Sequence, residues 1–188
     1  QIKQGSREIL EPILSSFING DEAVFSAILN LFAENKLEAI SIKEIIPEFF
    51  VDHEFLTLGR PSESDVVDSN RAQKILEVIS AADLGQGVVV RNGLCIAVET
   101  SLGTDEMLKS LFDLNGSARK NSKGGVLYKA PKSNQNPFLD HPVIGEETVQ
   151  RVRKAGLNGI VIQHSNVIVM QPKKTVALAN KLGIFIWS

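Results

Sequence analysis

The chain has 188 residues and one cysteine, Cys95, set inside the apolar run "LCIAVE". A single thiol excludes a disulfide framework and a thiolate metal site, points to a reducing cytosol, and predicts a buried, structural Cys95. A basic surplus is missing as well. The formal net charge is −2 and Lys and Arg are spread along the chain, so no patch stands ready to release counterions from phosphates, and nucleic acid is not an expected partner. No apolar run approaches the ~20 residues that span a bilayer, and no signal-peptide pattern is visible. Internal repeats, low-complexity segments, a P-loop and a Ser-His-Asp elbow are also absent. What remains is a chain with 43% hydrophobic residues, enough for the core of one medium domain or two small ones. The first residue is Gln1, which sets the expectation that the chain starts inside a longer polypeptide.

Hydrophobic spacing supplies the organisation. Ile9, Leu10, Ile13, Leu14 and Phe17, then Val24, Phe25, Ile28, Leu29 and Phe32, recur every three to four positions and predict two amphipathic helices between Ser6 and Asn35. "LEAISI" then reads as a short strand. The polar stretch Gly59 to Asp68 lacks a period and contains Gly59 and Pro61, so it reads as a linker between a first part, 1–58, and a second domain, 69–188. In the second domain a helix over Asn70 to Ala82 precedes "VVVRNGLCIAVE", whose Asn92-Gly93 pair is the mark of a hairpin turn. A helix capped by Thr104 or Asp105 follows, with Met107, Leu108, Leu111 and Phe112 on its inner face. After the mobile basic loop "SARKNSKGG" come the strand "GVLYKA", a helix ending near Gly156, paired strands "GIVIQ" and "NVIVM", a helix with Pro172 in its first turn, and the strand "IFIWS". This alternation predicts α/β architecture: part of an N-terminal α/β domain, then a C-terminal α/β domain with a mixed sheet.

Ligands of α/β folds gather where strands end and helices begin. Three junctions fit: "DLGQG", "ETSLGTDEM" and "KAPKSNQNPFLDHPVIG". Gly103 and Thr104 can offer N–H and O–H groups to a phosphate, with Asp105 holding a metal or orienting a water; the plain alternative is a helix N-cap. Lys129 and Lys132 can face a pyrophosphate, or be solvated lysines after a strand. Asp140 can begin an Asx turn. His141 and His164 lack partners at metal-ligand spacing and read as surface or hydrogen-bonded histidines. "GLNGIV" runs from helix into strand, the reverse of a dinucleotide fingerprint. Pro131, Pro137 and Pro142 would stiffen the third junction. Residue reading alone therefore arrives at an α/β protein with a phosphoanion site.

"DLGQGVVVRNGLCIAVET", "GTDEML", "GVLYKAPK", "DHPVIG", "TVQRVRKAGLNGIVI" and "KLGIFI" occur in an order that resembles the bacterial UDP-2,3-diacylglucosamine pyrophosphatases of the lipid A pathway, the two-domain type and not the calcineurin-like one. "NGDEAVFSAILNLFAENKLEAISIKEIIPEFF" looks like the end of that family's first domain, whose glycine-bearing first strand is missing from this chain. The resemblance implies Mg²⁺-dependent hydrolysis of UDP-2,3-diacylglucosamine in lipopolysaccharide synthesis. Water would attack the sugar-side phosphorus, giving UMP and 2,3-diacylglucosamine 1-phosphate. It carries the family's essential aspartate onto Asp140, its "G-T-D" onto Gly103, Thr104 and Asp105, and its lysines onto Lys129 and Lys132, with Gln135 beyond. Asp105 and Asp140 are then the catalytic carboxylates and metal ligands, and Gly103, Thr104, Lys129, Lys132 and Gln135 the substrate contacts. Departures are Leu102 where an acidic residue is usual, Ser133 in place of a proline, His141 in place of a leucine, and "IQHS" after "GIV". The resemblance further implies a cytoplasmic protein peripheral to the inner membrane of a Gram-negative bacterium, with a homo-oligomer among the assemblies to consider. The alternatives are a non-catalytic sugar-nucleotide or lipid binder, and a structural partner of other lipid A enzymes.

Overall fold

The computed structural model describes residues 4–19, 21–54, 56–118, 123–132 and 140–188. The two predicted N-terminal helices are present as α1 (Gln4–Ser16) and α2 (Asp21–Glu34). "LEAISI" is not a strand. It has no neighbouring strand to bond, and Ser41 instead caps a single helical turn, α3 (Ile42–Ile45), through its hydroxyl and the Lys43 N–H. Among the described residues before Gly59, only an isolated bridge from Phe50 to Ile168 has strand character.

The stretch read as a linker is mostly helix. Ser62 and Asp65 form a reciprocal capping box that starts α4 at Glu63, and the helix runs to Ser80. It buries Ala72 and Leu76 on the sheet and also buries Asp65, Asp68 and Ser69, so polar residues here are tertiary contacts and not solvated spacer. Residues before Gly59 already join the second unit: the Leu56 N–H donates to Ile186 O at 3.1 Å, and Thr57 Oγ1 accepts from Ile186 N at 2.8 Å.

β1 (Gly87–Arg91) and β2 (Leu94–Val98) form the predicted hairpin, and both turn residues, Asn92 (φ 51°) and Gly93 (φ 75°), have the positive φ of a type I′ turn. α5 (Gly103–Ala118) follows, then β3 (Val126–Lys129), β4 (Val143–Ile144), α6 (Glu146–Lys154), β5 (Gly159–Ile162), β6 (Ile168–Val169), α7 (Pro172–Leu182) and β7 (Phe185–Trp187). The main sheet has the order β2-β1-β3-β5-β7, with β1 antiparallel to both neighbours and β3, β5 and β7 parallel, so the mixed sheet is as expected. β6 pairs with β4 in a separate two-stranded sheet, and not with β5, because β7 takes that edge of β5.

Strands β1, β3 and β5 are buried throughout, as strands covered on both faces must be. Val89, Leu127 and Ile160 face a core closed by Met107, Leu108 and Leu111 of α5 with Val149, Val152 and Ala179; Val88, Val90, Tyr128 and Val161 face α4. Phe112 stays half exposed, off the expected inner face. Cys95 is exposed, contrary to the buried thiol expected, because β2 is the sheet's outer strand and its first two residues are uncovered. The basic loop falls partly on 119–122, outside the described residues.

Buried Asp68 ties α4 to the hairpin, accepting from the N–H groups of Asn92 (2.9 Å) and Gly93 (2.7 Å). Asp68→Ala strands both donors and is expected to cost about 2 kcal/mol. A lower urea midpoint at unchanged slope would show it, and an unchanged midpoint would refute it.

Candidate active site

Strand direction decides which residues meet. β3, β5 and β7 end, and antiparallel β1 begins, at the same edge of the sheet, so Gln86, Glu99, Lys129 and Gln163 converge there. The register puts Gly87 opposite Lys129, and Gln163 N–H donates to Lys129 O at 2.9 Å.

A cleft of about 380 Å³ opens at this edge on the α4 side. Lys132 and Asp140 line it together with Gln73 and Glu77 of α4, Tyr128, His141, Gln163 and Asn166. Gln86 Nε2 donates to Asp140 Oδ2 at 2.8 Å, and Lys132 is ion-paired with Asp83. Burial, reinforced by the Glu77 carboxylate, pushes the Tyr128 phenol up to about 12, so it offers the cleft a neutral hydroxyl at physiological pH. His141 packs edge-on against Phe50 with centroids 4.8 Å apart, and its Nδ1 lies 3.4 Å from Asn166 O. Its Nε2 is buried without a hydrogen-bond partner among the described residues. His164 is hydrogen-bonded to Asp52 and Ser188, as its sequence reading expected.

Behind the cleft lies a polar triad built on the buried Lys129 and the part-buried Thr104 and Glu99. Lys129 Nζ donates to Thr104 Oγ1 at 2.6 Å, Thr104 Oγ1 donates to Glu99 Oε2 at 2.8 Å, and the ammonium sits 3.6 Å from that carboxylate. Thr104 therefore does not cap its helix, which begins one residue earlier at Gly103. The "DLGQG" glycines make room for the triad. A Cβ on Gly85 would lie 2.3 Å from Glu99 O, and one on Gly87 would lie 2.5 Å from Glu99 Oε2.

The structure thus sorts the residues named from sequence. Lys132 and Asp140 share the cleft, and Thr104 and Lys129 meet in the triad. Asp105 does not line the cleft; its Oδ1 is 3.1 Å from Arg151 Nε on α6. Gly103 opens α5 with φ 83°. Gln135 and Pro137 lie outside the described residues. Among the described residues no group of three or more His, Cys, Asp or Glu side chains is arranged to hold a metal ion. Sequence reasoning singled out the segments holding Asp83, Gln86 and Glu99 but gave those side chains no role. The available signal was the glycine on each side of Gln86, which marks a close backbone approach.

These features define an α/β domain with a polar cleft at the edge where its parallel strands end. The sequence profile of the family described as LpxI C-terminal domain matches residues 52–187. UDP-2,3-diacylglucosamine pyrophosphatase LpxI of Caulobacter vibrioides is 33% identical over 181 residues, covering 95% of this chain. The chain spans 65% of the length of that curated relative. It belongs to the LpxI C-terminal domain family.

Removing one partner of a buried ion pair leaves the other uncompensated, so Lys129→Met is expected to destabilise by about 3 kcal/mol. Adding Glu99→Gln should recover most of the loss. Denaturant unfolding of the four members of the cycle tests this, and additive losses would contradict the coupling.

Proposed function

We propose that the protein hydrolyses the pyrophosphate of UDP-2,3-diacylglucosamine, releasing UMP and 2,3-diacylglucosamine 1-phosphate for lipid A and hence lipopolysaccharide. The observation that carries the reading is the meeting of Asp140 and Lys132 in one cleft of a chain belonging to this family. The named activity of the Caulobacter relative supplies the substrate.

In this reading the Asp140 carboxylate takes a proton from water as its oxygen bonds to the sugar-side phosphorus, and the bridging P–O bond breaks to release UMP. The Lys132 ammonium offsets charge developing on the diphosphate, and the Tyr128 hydroxyl is a neutral donor beside it. Thr104 and Lys129 set the shape of the site from behind, with Gly103 opening the helix that carries Thr104. Asp140 would hold Mg²⁺, whose charge would offset that of the phosphates when bound. No described helix is long and apolar enough to cross a membrane. Peripheral work at the cytoplasmic face of the inner membrane, where the acyl chains reside, belongs to the same reading.

The test is UMP release from the diacylated UDP-sugar and Mg²⁺ by the full-length protein and its Asp140→Ala variant. Turnover should fall at least about 100-fold in the variant, and chelation of Mg²⁺ should stop the wild type. Equal background release by both proteins would overturn the hydrolase reading and leave the binding-module and structural-partner alternatives.

A further inference from the structure

Lys132 and Asp140 come from one long junction, yet a contact to each of them comes from another. Asp83 is ion-paired with Lys132, and Gln86 donates to Asp140 Oδ2 at 2.8 Å. These two residues lie three apart on the short loop that leads into β1. The loop is itself anchored: Ala130 N–H donates to Gln86 O at 3.1 Å, and Gly85 and Gly87 press against Glu99 so closely that neither tolerates a Cβ without movement. Asp83 has a positive φ of 54°, a conformation that Asp accepts more readily than most residues. A loop pinned at its backbone and bonded through two side chains to the cation and carboxylate of the cleft has the form of an orienting device.

We infer that Gln86 is a positioning residue for the hydrolysis. Its carboxamide holds the Asp140 carboxylate in the one orientation that faces the attacking water, while Asp83 on the same loop sets Lys132. The inference rests on the pyrophosphatase reading above. Gln86 touches no reacting atom. It removes the rotational freedom of Asp140 about its last torsion, so its loss should appear in the chemical step and leave ground-state binding in place.

The experiment compares full-length wild type, Asp140→Ala, Gln86→Leu, Gln86→Ala and Gln86→His in the UMP-release assay, with melting temperatures alongside. Leu keeps the volume and loses the donor; His restores an N–H at a similar reach. Expected are a kcat lowered about 10- to 100-fold in the Leu and Ala variants, KM within about threefold of wild type, unchanged melting temperatures, and partial recovery of kcat in the His variant. Wild-type kcat in the Leu or Ala variant would overturn the inference while leaving the hydrolase reading intact. So would a loss explained by a lower melting temperature, or a His variant no better than Leu. If Leu does not fold, Ala, which adds no apolar bulk to the cleft, decides alone. Background release by wild type and Asp140→Ala alike would overturn the hydrolase reading and this inference with it.

Discussion

The pairing of β1 with β3, Gly87 opposite Lys129, is the constraint on which the site depends. An antiparallel strand set among parallel neighbours brings its beginning, not its end, to the edge where they finish. The loop before β1 and the residue after β2 are therefore delivered to the same place as the ends of β3 and β5. Had β1 run parallel to β3, Gln86 and Glu99 would lie at the far edge, and neither Asp140 nor Lys129 would have its observed partner.

That arrangement creates two polar environments a few residues apart. Facing solvent, the cleft gathers Lys132, Asp140, the amides of Gln163 and Asn166 and a neutral Tyr128. Behind it, Glu99, Thr104 and Lys129 satisfy one another. A buried lysine is tolerable only beside a counter-charge and a hydrogen-bond acceptor, and the triad provides both. The glycines of "DLGQG" belong to the same device, since any side chain there would collide with Glu99.

α4 acts as the second brace. Its buried carboxylates work in pairs with backbone and amide donors: Asp68 with the hairpin turn, and Asp65 with Asn158 at 2.9 Å before β5. The helix that forms one wall of the cleft is thereby tied to the sheet at the edge opposite the cleft, where β1 ends and β5 begins.

Much of this protein was legible in the order of its residues. The 3.6-residue period located α1 and α2, Asn92-Gly93 announced the hairpin, and the resemblance of "GTDEML", "KAPK" and "DHPVIG" led to the family that the profile match establishes. These signals are local, set by side-chain spacing and backbone preference. Some readings failed because they turned on contacts distant in sequence: "LEAISI" found no strand partner, "NVIVM" paired with β4 and not β5, part of the polar linker became the start of α4 with its carboxylates buried, and Cys95 lay on an edge strand. Partner choice at the site was equally beyond spacing. Only tertiary structure aimed Asp105 at Arg151, Lys129 at Glu99 and Gln86 at Asp140, because the first pair is joined by the packing of α5 on α6 and the others by strand direction and register, which no local pattern encodes.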